Sequence, residues 1–153
     1  VTMVSVDETA AVTGSHQITV QMDQLLSETD FDAFDLLVLP GGMPGTLHLE
    51  ACNALMELAG SFYSAGKWVA AICAAPQIFG HRGYLKGRKA TSFPSMEKEL
   101  DGAFVTHGAA EVDGNAITGR GMGCAIDFAL KIIGCLISEE EAAAQAERIV
   151  YER

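Results

Sequence analysis

The sequence predicts an α/β fold, a mostly parallel sheet covered by helices on both faces, on three observations. Asp35-Leu36-Leu37-Val38-Leu39 and Trp68-Val69-Ala70-Ala71-Ile72 are continuous apolar runs of strand length without polar alternation, as expected of strands buried on both faces. Each run ends in a turn that leads into helical spacing, and strands alternating with helices favour parallel pairing. A chain of 153 residues with 49% apolar residues is enough for one domain, residues 1–153, with a substantial core.

The elements follow in order. Val1 to Val6 reads as an opening strand, Ser15 to Val20 as a short alternating stretch, and Met22 to Phe34 as a polar connector. After the strand at Asp35–Leu39 comes Pro40-Gly41-Gly42-Met43-Pro44-Gly45. A helix is expected over Leu49–Ala65, with Leu55, Leu58, Ala59 and Phe62 on one face and Gly66 closing it. The second apolar run is followed by Cys73 and by a helix from Ala74 to about Gly80, with Pro76 in its first turn. Lys89 to Ser92 suggests a short strand. Ala109–Val112 and Asn115–Thr118 flank Asp113-Gly114, a two-residue hairpin signal. Gly119-Arg120-Gly121-Met122-Gly123 leads into a helix over Cys124–Ile137, and Ser138-Glu139-Glu140-Glu141 is a capping box for the last helix.

Composition excludes several classes of function. A net charge of −10 disfavours nucleic acid and anionic membranes. No apolar run approaches the roughly 20 residues that cross a bilayer, and no signal peptide is expected. The four cysteines, Cys52, Cys73, Cys124 and Cys135, form neither a CxxC pair nor a metal-ligand spacing. Free thiols in a chain with a good core point to a reducing, cytoplasmic compartment, with no metal and no cofactor.

Cys73 is the most informative residue. A thiol at the carboxyl end of a strand and the start of a helix sits where a thiolate is favoured and where open α/β sheets bind ligands. The alternative is a small buried hydrophobe, a common role for free cysteine. Cys52, Cys124 and Cys135 lie in or at the start of predicted helices and read as structural. Gly41 and Gly42 form either a tight strand-to-helix turn or a pocket whose amides approach a developing negative charge. The Gly119–Gly123 run lacks the dinucleotide-binding pattern and reads as a turn packed near Cys73. His48 and His81 read as solvated helix-end residues, whereas His16 and His107, near strand ends, are the imidazoles placed to reach a cleft.

Three segments in order, Asp35–Gly42 (DLLVLPGG), Val69–Pro76 (VAAICAAP) and Ile117–Leu130 (ITGRGMGCAIDFAL), resemble the ThiJ/PfpI superfamily, and more narrowly the parkinsonism-associated protein deglycases and their YajL-like branch. The resemblance implies a flavodoxin-like three-layer sandwich of the class I glutamine amidotransferase kind, which usually forms a homodimer. It implies a reactive cysteine on a strained turn, here Cys73, with oxyanion donors at Gly41 and Gly42, the backbone of Ala74 helping, and His16 beside a basic site position. Relatives are described as cofactor-free glyoxalases converting methylglyoxal to lactate, as deglycases of early adducts, and as oxidative-stress sensors or chaperones. Some carry a thiazole monophosphate biosynthesis label. The implied partners are thus a small reactive aldehyde or a glycated substrate.

Three departures stand out. The family's site glutamate follows a first strand, and that strand with its helix, roughly 30 residues, is expected to be missing here. Where some relatives have a site histidine, this chain has Phe93, in Ser92-Phe93-Pro94. Where the peptidase branch has histidine directly after the nucleophile, this chain has Ala74, which counts against a cysteine peptidase.

Overall fold

The computed structural model describes residues 1–152. Ten strands are defined: β1 (Val4–Ser5), β2 (Ala11–Thr13), β3 (Thr19–Gln21), β4 (Gln24–Leu25), β5 (Leu36–Leu39), β6 (Trp68–Ile72), β7 (Lys89–Ala90), β8 (Phe104–Val105), β9 (Ala110–Asp113) and β10 (Ala116–Gly119). The helices are α1 (Gly45–Ala51), α2 (Asn53–Ser64), α3 (Pro76–His81), α4 (Ala125–Leu136) and α5 (Glu139–Arg148). The central sheet has the order β5-β6-β10-β9, parallel throughout except at the β9–β10 hairpin. The predicted α/β architecture with a mostly parallel sheet is the one observed.

Side-chain alternation along the strands builds two separate cores. Val69 and Ala71 of β6, with Leu39 of β5, face a cluster that holds Leu55, Met56 and Phe62 of α2 and Ile78 and Phe79 of α3. Ala70 of β6 and Ile117 of β10 face the other way, onto Phe128 of α4 with Trp68, Ile72 and Ile132. A strand covered on both faces has no use for polar residues, which is why these runs are uninterrupted.

The helices keep their predicted faces with altered ends. The helix expected over Leu49–Ala65 starts earlier and is broken in two. Cys52 is extended there (φ −78°, ψ 99°), its amide closing α1 on Leu49 O while its carbonyl receives Met56 N of α2. Gly66, at φ +74°, ends α2 in a Schellman arrangement, with Lys67 N on Phe62 O and Gly66 N on Tyr63 O. The Cys73 helix begins at Pro76 rather than Ala74 and is short. The capping box holds: Ser138 Oγ accepts from Glu141 N at 3.2 Å.

Several local expectations need correction. The hairpin turn is Gly114-Asn115, since Asp113 pairs with Ala116. Asn115 is held from outside the hairpin, its amide donating to Tyr63 O and Lys67 O, and Gly114 absorbs the reversal at φ +61°. The connector over Met22–Phe34 contains β4, which pairs in parallel with β1, and two 3-10 turns. Exposed β8, not foreseen, pairs with β7. Among the described residues no helix is long and apolar enough to cross a membrane.

His81, at the end of α3, ties three elements together. Its Nδ1 meets Glu50 of α1 at 2.6 Å and its Nε2 meets Glu99 at 3.2 Å, while Glu50 also receives Gln77 Nε2. The Glu50 hydrogen bond holds the His81 pKa above its ordinary 6.5, and the His81 bond holds Glu99 below its ordinary 4.5. A raised histidine pKa stabilises the fold fully below about 6.5, and that stabilisation is lost as pH rises through the higher native value. His81→Ala should therefore lower the urea midpoint more at pH 6 than at pH 9. An equal loss at both would remove the ionic part of this contact.

Candidate active site

Cys73 lies between β6 and α3 with φ +65°, in the left-handed region that costs a residue other than glycine roughly 1–3 kcal/mol. The surrounding chain imposes this conformation. Cys73 N donates to Gly119 O of β10 at 2.9 Å, and Phe93 N donates to Cys73 O at 2.8 Å. The bend is thus gripped on one side by the neighbouring strand and on the other by the segment after β7. The thiol-bearing residue is half-buried, with its side chain on the carboxyl edge of the sheet.

The β5 loop closes against this bend. A Cβ on Gly41 would collide with Ile72 O and would come within 2.7 Å of Cys73 Cβ and 2.9 Å of Ala74 N, so only glycine fits. Gly42 follows at φ +98°, and its carbonyl receives both Thr46 N and Thr46 Oγ1, which fixes the loop to the start of α1. The amides of Gly41, Gly42 and Ala74 donate to no protein acceptor among the described residues. Buried backbone donors are rarely left unmatched, and Ala74 is only 4% exposed.

The structure brings Cys73, Gly41 and Ala74 into direct contact, with Gly42 next in the loop. His16 is not among them. It lies at the exposed turn between β2 and β3, and among the described residues its side chain bonds only Ser15, at 3.2 Å. His107 is exposed and meets Glu97, while Arg120 donates to the His107 carbonyl. No carboxylate is hydrogen-bonded to Cys73 among the described residues, and no group of metal-binding side chains is present among them. The sequence reading put the Gly119 turn near Cys73, but not the bond its carbonyl accepts, and it missed the Phe93 amide. Both act through backbone atoms, which carry no residue-type signal. The Phe93 ring is 47% exposed and stands 3.7 Å from the position of a Cβ on Gly121, beside the bend.

The other thiols differ in setting. Burial pushes the Cys135 thiol above its ordinary value, and the nearby Glu139 carboxylate adds to the rise against Lys131. Cys52 and Cys124 are half-buried at helix starts.

A mostly parallel sheet between helical layers, with its loops converging on the carboxyl edge, defines a flavodoxin-like α/β protein. The chain belongs to the DJ-1/PfpI family, which it matches over residues 1–134. It superposes on oxidized DJ-1 of Toxoplasma gondii with a TM-score of 0.93 at 31% identity, covering 99% of this chain and 83% of that one. It is 41% identical to a deglycase of Pyrococcus abyssi over 112 residues, 71% of this chain and 66% of the relative. It is 38% identical to protein DJ-1 homolog B of Arabidopsis thaliana over 93% of this chain, yet spans only 33% of that relative's length.

The Gly41 contact yields a direct expectation. Gly41→Ala forces apart backbone atoms that cannot rotate away, and overpacking of this kind costs about 1–3 kcal/mol. The variant should unfold at lower urea and alkylate at Cys73 with altered kinetics. An unchanged midpoint together with unchanged iodoacetamide rates would show that the loop does not rest on the bend.

Proposed function

We propose that this protein converts small 2-oxoaldehydes such as methylglyoxal, or their early adducts on other molecules, through Cys73 and without a cofactor. The observation that carries this is the set of unmatched amides at Gly41, Gly42 and Ala74 around a left-handed Cys73. Such donors suit the oxyanion of a tetrahedral adduct, each being worth about 10²–10³ in rate. The deglycase relative in Pyrococcus abyssi supports the reading.

In this scheme the Cys73 sulfur, as thiolate, adds to the aldehyde carbon and forms a C–S bond, and the carbonyl oxygen becomes an oxyanion held by the loop amides. A proton then moves from that carbon to the adjacent carbonyl carbon through an ene-diol. The aldehyde carbon is oxidised to a thioester as the ketone carbon is reduced to an alcohol, so no external oxidant is required. Water cleaves the thioester, which releases a 2-hydroxy acid and restores the thiol. The proton transfer needs a general base, a role that the resemblance gives to a glutamate following the family's first strand. Cys73→Ala should reduce lactate formation from methylglyoxal at least 10³-fold, near the size of a lost nucleophile. Equal rates in both proteins would end this reading.

A second reading, an oxidation sensor or chaperone, is favoured by one observation: the Toxoplasma gondii relative is described in an oxidized form. An accessible thiolate is what peroxide converts to sulfinic acid. Under mild peroxide Cys73 should oxidise several-fold faster than Cys135, whose raised pKa leaves less thiolate. Mass spectrometry of the peptides measures this, and comparable rates would remove the sensor reading.

Both readings place the protein in the cytoplasm as a homodimer. Four free thiols support a reducing compartment. Phe93 and Met122, both apolar and exposed, support a covering second copy. Sedimentation at micromolar concentration reports the dimer directly.

A further inference from the structure

Three segments build the Cys73 bend, and the same three meet again at His81. α1 follows the Gly41-Gly42 loop, while α3 follows Cys73 and ends at His81. The third is a 3-10 segment over Pro94–Glu99, which starts next to Phe93, the residue whose amide donates to Cys73 O. His81 Nδ1 meets Glu50 of α1 at 2.6 Å, and its Nε2 meets Glu99, at the end of the 3-10 segment, at 3.2 Å.

The 3-10 segment also reaches the second grip on the bend. Glu97, within it, meets Arg120 at 3.8 Å, and Arg120 follows Gly119, whose carbonyl accepts from Cys73 N. Its far end is packed directly on α3: a Cβ on Gly80 would collide with Glu99 O and come within 2.8 Å of Leu100 Cα. No side chain separates the two backbones there, so a shift of one displaces the other.

The His81 contact has two states. An imidazolium donates from both nitrogens and bonds both carboxylates at once. A neutral imidazole has one N–H and turns a lone pair toward the other carboxylate, so deprotonation opens one link. The Glu50 link is the shorter, which leaves the Glu99 link to open. The charged groups around His81 are Glu50 from α1, Glu99 from the 3-10 segment, and Lys98, which meets Glu99 at 3.4 Å. Arg82, the next residue, bonds neither carboxylate among the described residues. The Glu50 bond, opposed by burial and helped by Glu99, favours the imidazolium.

We propose that His81 is a positioning residue for Cys73: as the imidazolium it clamps the 3-10 segment to α3 and α1, and so holds both backbone grips on the bend. Neutral His81 releases Glu99, the grips loosen, and the less well aimed thiol reacts more slowly. The clamp is fully closed below about pH 6.5 and opens as pH rises through the higher native value. The bend is common to turnover and to oxidation, so the proposal stands apart from either reading.

Iodoacetamide labelling of the folded protein, read at the Cys73 peptide by mass spectrometry, tests this. His81→Gln, neutral at every pH, should label about threefold more slowly than the parent chain at pH 6, the size of one exposed ion pair. At pH 9 the two rates should coincide. Glu99→Gln should show the same convergence, while His107→Gln, whose residue meets Glu97 of the same segment, should match the parent at both pH values. A contact that only stabilised the fold would shift the urea midpoint and leave these native-state rates unchanged. Equal rates for His81→Gln and the parent at pH 6, or a slowing of the same size at pH 9, overturn the proposal. Should His81→Gln fail to fold, the Glu99→Gln rates decide by the same criterion.

Discussion

Cys73 can hold a left-handed backbone because the strand beside it and the loop in front of it leave it no alternative. Its amide belongs to Gly119 and its carbonyl to Phe93, so relaxing φ would break both bonds. Each is worth about 1 kcal/mol net, which together roughly matches the strain of the bend. Gly41, packed on Ile72, Cys73 and Ala74, blocks the remaining space. The thiol is therefore aimed by backbone geometry, and its own side chain forms no hydrogen bond to a carboxylate among the described residues.

That geometry depends in turn on the parallel register of β5, β6 and β10. Leu39 lies opposite Ala71, and Gly119 lies opposite Ile72. The three strands end within one residue of the same level, so their loops converge on one edge. A shift of one residue in β5 would turn Leu39 from the α2–α3 core toward the α4 side and carry Gly41 away from the bend. The two cores, filled from opposite faces of β6, set this register strongly. The chemistry at the edge is thus secured by packing deep in the sheet.

The acid–histidine contact around His81 has a related effect at the periphery. It joins α1, which follows the Gly41-Gly42 loop, to α3, which follows Cys73. The two loops that meet at the site are therefore also linked through the helices behind them.

Sequence alone determined the class of fold, the strands β5 and β6, the amphipathic face of α2, the cap at Ser138 and the prominence of Cys73. These are local properties: apolar runs, spacing and turn chemistry act over a few residues, and the chain displays them directly. Tertiary structure decided the rest. The break at Cys52, the Gly114-Asn115 turn and the β1–β4 pairing depend on partners distant in sequence, such as the Tyr63 and Lys67 carbonyls that hold Asn115. Cys73 sits where sequence placed it, at a strand end, whereas His16, read as near a strand end and able to reach a cleft, lies in an exposed turn. Whether two such residues share a site is a matter of distance through space, and only the folded chain fixes that distance.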